Sequence, residues 1–348
     1  MKRTLLTTLR AIIGITLAVL LIQLTLKGAD TNLQRLWDEQ IKAAAIPLLF
    51  WALVLYGIVL AVGSLRWQIL LHAQRIDIGY FNTLRLTLIG FFFNLAVPGA
   101  VGGDVVKIGY TMRHAPEQKT AAFFSIVTDR IMGILGLFIV AGFAVLLNLR
   151  TILKLGETSP FLQAGAILVG LGSFAGVAGF LVLEYHGLLL KHRKLQPLWT
   201  FCNRRLPKFI TGIAGRLMTA LDMYQKSKAS LAKALLLAIA VHCLLALSMF
   251  TVGKALAENT LSVGEYFVTT QVANAVAAVP VTPGGVGLRD KGAQELFAAL
   301  GMPKEKSGAI PVTMTLIILA WALIGGGVFS VAPVSPRRSI QTDETANK

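Results

Sequence analysis

The stretch that most constrains this chain is residues 91–110, FFFNLAVPGAVGGDVVKIGY, an apolar run broken where a membrane-crossing helix would have to continue. Asn94, Pro98, Gly99, Gly102 and Gly103 interrupt it, and Asp104 and Lys107 close it. A helix over 86–97 would be about 18 Å long at ~1.5 Å per residue, against a hydrocarbon core of about 30 Å. It is too short to span, so the expectation is a half-crossing that turns back. Irregular backbone at that depth must be shielded by protein or face a wet cavity, because each unpaired amide or carbonyl in lipid costs several kcal/mol.

The device recurs 185 residues later. VPGAVGGD at 97–104 is echoed by TPGGVGLRD at 282–290, which sets Pro98 against Pro283, Gly99 against Gly284, Val101 against Val286 and Gly102 against Gly287. Paired Gly/Pro breaks at corresponding places in two halves point to a transporter-like binding site at a repeat interface. The competing reading is two ordinary Pro-kinked spans whose glycines only allow close packing.

Composition sets the class. With 55% hydrophobic and 14% charged residues, the chain is far from a soluble globule, in which about a quarter of residues carry charge. The net charge of +16 lies between apolar runs, where Lys and Arg act as topology signals and meet anionic headgroups, so it does not argue for nucleic acid. Cys202 and Cys243 stand apart, with no spacing that implies a disulfide framework or a zinc site.

Taken in order, residues 11–26 read as an uncleaved first span and 30–42 as a connecting or interfacial helix. A second span covers 46–65, and Arg66, His72 and Arg75 then form a basic connection. Basic residues on both flanks of the first break place them in the cytoplasm, so that segment dips in and returns as a re-entrant hairpin. Residues 121–147 cross outward, a short loop with Arg150, Lys154 and Glu157 lies outside, and 161–183 cross back. Residues 184–232, with nine Lys or Arg against Glu184 and Asp222, form a basic cytoplasmic loop. A span over 233–256, a short helix over 266–279, a return over 288–300 and a last span over 309–332 follow, ending in a cytoplasmic tail at 333–348. Three full crossings separate the two hairpins, and an odd number inverts one relative to the other. The expectation is an all-α integral membrane bundle of about eight segments forming one domain over 1–332. Its two inverted repeats are placed at about 46–183 and 233–332, and both termini are cytoplasmic.

Helix ends at the glycine breaks offer free backbone N–H groups and a dipole that attract anions such as phosphate. Beside them stand Asp104 and Lys107 in the first hairpin, and Arg289, Asp290 and Lys291 in the second, while Asn94 and Asn274 either cap the broken helices or bond across helices. Asp129 and Arg130 lie within a span, where a charge near the bilayer centre costs at least about 2.5 kcal/mol and usually faces a partner or a watery cavity. Arg130 and Arg289 are the first choices for gripping a lipid phosphate bidentately, with Asp104 and Asp129 balancing charge. Against this stand plainer readings. Asp129 and Arg130 would merely hold the bundle together, and Arg289 would snorkel at the interface. His242, inside an apolar span, reads first as a packed polar residue and only second as a proton relay. There is no GxxxxGKS loop, HExxH, GxSxG or paired Cys/His set, so no catalytic residue, cofactor or metal is assigned.

LRWQILL (65–71), the FFFNLAVPGAVGGDVVK run, TDRIMGILGL (128–137) and PVTPGGVGLRD (280–290) together resemble the transmembrane flippase-like domain of the lysylphosphatidylglycerol synthase family. The match runs in order from about residue 10 to 332. The resemblance implies an eight-segment domain of the bacterial inner membrane, associated with moving aminoacylated phospholipid between leaflets. Relatives accompany polyprenyl-glycan or hopanoid pathways. The family motifs fall on Asn94, Pro98, Gly99, Gly102, Gly103, Asp104, Asp129, Arg130, Gly284, Gly285, Gly287 and Arg289. Lys107 stands where relatives often have Arg, and Asp290 where they often have Glu. No aminoacyl-transfer domain follows residue 332, so synthesis of the lysyl-lipid is not expected. The functional expectation is flipping or binding of an anionic, aminoacylated or otherwise lipid-linked substrate, with membrane phospholipids as partners. A homodimer or envelope-lipid pathway proteins are further candidate partners. The alternative is an integral-membrane enzyme or accessory subunit of envelope-lipid or lipid-linked glycan synthesis.

Overall fold

The computed structural model describes residues 41–42, 44–96, 102–184, 222–224, 227–278, 285 and 287–331. The first span expected at 11–26, most of the helix at 30–42, nearly all of the basic loop and the tail lie outside the described residues, as do Pro98, Gly99, Pro283 and Gly284.

The described residues form ten α-helices and no strand. Five are long and apolar enough to cross a membrane. These are α1 (Ile46–Ala73), α4 (Lys119–Leu147), α6 (Pro160–Glu184), α7 (Lys228–Ala255) and α10 (Lys304–Val331). Between α1 and α4 lie two shorter helices, α2 (Tyr80–Ala96) and α3 (Gly102–His114); between α7 and α10 lie α8 (Val263–Ala277) and α9 (Leu288–Ala299). At 17 residues, α2 is about 25 Å long and still falls short of a full crossing. A ten-residue helix, α5 (Leu149–Thr158), links α4 to α6. Bulky apolar side chains such as Phe50, Trp51, Leu168, Leu171 and Leu236 are exposed on the long helices, as expected of faces turned to lipid.

Antiparallel α1 and α7 form the central pair. Ala45 N donates to Ala255 O (2.9 Å) at one end, Ser248 Oγ to Ala52 O (3.0 Å) along the way, and Tyr224 Oη to Leu70 O (3.1 Å) near the other end. Around this pair the two short-helix pairs enter from opposite ends. At the mouth of the first, Ile76 and Ile78 pack with Trp67, Ala122 and Ile126, near the start of α4. At the mouth of the second, Gly264 lies so close to Asn148, just past the end of α4, that a Cβ on it would fall 2.4 Å from the Asn148 Oδ1. Each half also leans on the other. Gly325 of α10 presses on the Leu88 carbonyl of α2, and Phe93 meets Phe329 edge-on, while Val268 and Val272 of α8 pack with Ala144 and Val145 of α4.

Two expectations change. The helix expected to end before Arg66 continues to Ala73, because Trp67, Leu70 and Leu71 keep the i, i+3, i+4 apolar spacing and are all fully buried. Residues 149–158, expected as a loop, form α5 because Ile152 and Leu155 recur at helical spacing and bury themselves against α8 and α9.

Candidate functional site

The first short-helix pair closes through glycine. Gly90 and Gly103 meet so tightly that a Cβ on Gly103 would fall 2.0 Å from the Gly90 carbonyl oxygen. Asn94 Oδ1 accepts from Gly103 N (2.8 Å), so the side chain near the end of α2 satisfies an otherwise orphaned amide at the start of α3. Asp104 follows in the first turn of α3, where a carboxylate suits the positive end of the helix dipole.

Five charged groups converge here. Arg66 on α1 grips Asp129 on α4 with two hydrogen bonds, Nε to Oδ1 at 2.7 Å and Nη2 to Oδ2 at 3.1 Å, and both side chains are only 12% exposed. The neighbouring Arg130 turns away by about 100°, as successive helical residues must, and binds Asp104 Oδ2 through Nε and Nη2, each at 2.8 Å. That pair is more open, with Arg130 49% and Asp104 15% exposed. Lys107 sits among the four, close enough to feel Asp129, Asp104, Arg130 and Arg66 electrostatically, with Nζ 4.6 Å from the centroid of the buried Trp67 ring. Three cations against two carboxylates leave one surplus positive charge. Asp129 lies ten residues into α4, about 15 Å along it, so the cluster is at membrane depth.

The second pair carries its own cluster. Gly285 and Gly287 take φ +74° and +82°, a region that glycine enters without penalty, and Gly285 also abuts Ala277. Arg289 is buried at the start of α9, donating from Nε (3.1 Å) and Nη2 (2.8 Å) to Asp290 Oδ1 and from Nη2 to Thr315 Oγ1. Thr315 on α10 in turn donates to Asp290 Oδ2 (2.7 Å). The snorkelling alternative for Arg289 is thereby excluded, since its guanidinium is held inside the bundle.

At the outer edge of this pair, Glu258 is buried in the α7–α8 connection and accepts from Tyr266 Oη (2.8 Å), Thr260 N and Leu261 N. Burial alone would raise its carboxyl, but these donors outweigh it and hold the group below the usual glutamate range. Among the described residues no three His, Cys, Asp or Glu side chains gather as metal ligands.

The structure thus brings Asn94, Gly102, Gly103, Asp104, Lys107, Asp129 and Arg130 together, and groups Gly285, Gly287 and Arg289 separately around α9. Sequence reasoning missed Arg66, which it treated as a topology signal, and Thr315, which sits in an apolar run. The continued helical spacing through LRWQILL was the available signal for Arg66; nothing in the pattern marks Thr315.

A polytopic all-α membrane protein is defined by these features, with two opposed short-helix pairs and charge buried among its spans. The chain belongs to the family described as the lysylphosphatidylglycerol synthase TM region, whose model matches residues 11–326. A UPF0104 membrane protein of Pyrococcus horikoshii is 23% identical over 326 residues, covering 90% of this chain and 94% of that protein. Another UPF0104 membrane protein, from Methanothermobacter thermautotrophicus, is 22% identical over 307 residues, covering 84% and 87%.

Proposed function

We propose that the protein binds the anionic headgroup of a phospholipid or other lipid-linked substrate and passes it between leaflets of a bacterial inner membrane. Its basic loop and both termini would lie in the cytoplasm. The observation that carries this reading is the surplus positive charge at Lys107. It sits in the second turn of α3, among two Arg–Asp pairs and one turn in from the positive end of that helix's dipole. A phosphate entering there exchanges water for an ammonium and a half-exposed guanidinium. Membership of a family named for a lipid synthase's membrane region agrees with a lipid substrate. The buried Arg289–Asp290–Thr315 group ties the second pair to α10.

The test is leaflet exchange of labelled phosphatidylglycerol and phosphatidylcholine in liposomes containing the purified protein. Lys107→Met is expected to slow exchange of the anionic lipid by about tenfold or more, because a charge-assisted contact is worth roughly 1.5 kcal/mol or more. Arg130→Ala is expected to act in the same direction. Exchange indifferent to both substitutions overturns the site, and a new lipid product would favour the enzyme alternative.

A further inference from the structure

His242 lies midway along α7, its ring partly buried and its Nδ1 fully so. Its Nε2 is 3.1 Å from the carbonyl oxygen of Gly133 on α4, and a carbonyl only accepts, so Nε2 must carry a proton. Gln271 of α8 lies against the same histidine, with its Nε2 donating to the His242 carbonyl at 3.0 Å. Neither the Gln271 Oε1 nor the ring Nδ1 has a hydrogen-bond partner.

These contacts impose a proton count. With the ring neutral and Nε2 protonated, the Nδ1 lone pair and the Gln271 Oε1 confront each other as two acceptors. Rotating the amide to donate to Nδ1 turns its oxygen onto the His242 carbonyl. Moving the ring proton to Nδ1 leaves bare Nε2 against the Gly133 carbonyl. Every neutral arrangement leaves one buried mismatch, whereas the doubly protonated ring donates to both Gly133 O and Gln271 Oε1 while the amide still serves the backbone.

Opposing this are the burial of the ring, since a charge taken out of water is costly, and the charge already nearby. α1 brings Arg66, whose Nη1 would lie 3.4 Å from a Cβ on Gly133, and α4 brings its partner Asp129. On α8 the ionisable residues are Glu265 and Tyr266, near its start, and on α10 they end at Lys306; α7 itself offers Lys228, Lys233 and Lys254 at other depths, and Cys243 beside the histidine on the next helical position. The imidazole therefore balances an unsatisfied contact when neutral against a cationic neighbour when charged.

We propose that His242 is a proton-binding site, whose charging adds a hydrogen bond to Gln271 and tightens α8 of the second short-helix pair against α7 and α4, and whose deprotonation removes that bond. Headgroup passage through the neighbouring site, on the function proposed above, is then proton-linked and slower when the ring is charged. The proton comes from water and returns to it, and no other group changes oxidation or bonding.

Two measurements on the full chain test this separately. The first follows histidine ring NMR signals in detergent as pH is varied, using His242→Gln to assign the His242 signal. Gln271→Leu, which removes the acceptor, is expected to move the midpoint to lower pH, and Gln271→Glu, which adds a charge beside Nδ1, to higher pH. The second is exchange of short-chain labelled phosphatidylglycerol in liposomes, read by albumin extraction between about pH 4 and 8. Wild-type exchange should slow by about fivefold or more towards acid pH, and His242→Gln should flatten the profile. A His242 signal that does not titrate, or a midpoint indifferent to both Gln271 substitutions, overturns the proton site. A wild-type profile retained by His242→Gln overturns the link to transport. If no labelled lipid exchanges at any pH, the proposed function fails, and the NMR midpoints still decide the proton site.

Discussion

Arg66 and Asp129 form a closed, doubly hydrogen-bonded pair inside the bundle, while Asp104 and Arg130 form a more open one at its edge. The two pairs have different consequences. A charge stripped of its partner in a buried site is far worse than an apolar replacement of both, so Asp129→Ala should destabilise the protein by about 3 kcal/mol or more. Replacing the pair together, Arg66→Met with Asp129→Leu, should recover most of that loss. Thermal unfolding in detergent across this double-mutant cycle checks the claim, and near-additive single effects would mean that the pair does not act as one unit. Headgroup exchange in the double variant should stay impaired if these charges also shape the Lys107 environment. Sequence order cannot reveal such pairings. Asp129 and Arg130 are adjacent in the chain, yet each turns to a different helix.

The helices themselves were largely legible. Apart from the end of α1 and the start of α2, the described spans and half-spans fall within about five residues of where apolar runs and glycine breaks place them, because lipid leaves the backbone little choice except helix. What was not legible was contact between elements, which depends on which face a helix turns inward. Glycines illustrate the point. Gly103 and Gly109 both lie on α3, but a Cβ at Gly103 would collide with the Gly90 carbonyl, whereas one at Gly109 would meet nothing within 4 Å. Gly103→Ala should therefore force α2 and α3 apart and cost about 1–3 kcal/mol, the usual penalty of overpacking. Gly109→Ala should be neutral or stabilise by up to about 1 kcal/mol through helix propensity. Unfolding midpoints of the two variants separate the cases, and equal effects would remove the close crossing. Pro98, Gly99, Pro283 and Gly284 lie outside the described residues, and there the sequence motif is the guide.

Across the whole molecule, the two short-helix pairs enter from opposite ends of α4. Glu117, where the first pair exits, and Thr260, where the second begins, are both exposed. In a background lacking Cys202 and Cys243, Glu117→Cys and Thr260→Cys should react with a membrane-impermeant maleimide from opposite faces of oriented vesicles. Labelling of both from one face would be incompatible with the inverted arrangement. The packing of Leu88 and Phe93 on α10 bears on biogenesis as well. That partner emerges from the ribosome about 235 residues after α2 ends, roughly ten to fifty seconds later at ordinary translation rates. Throughout that interval the nascent half-crossing has no permanent neighbour on that flank, so insertion has to be completed late, with lipid or an insertase occupying the place that the final helix takes.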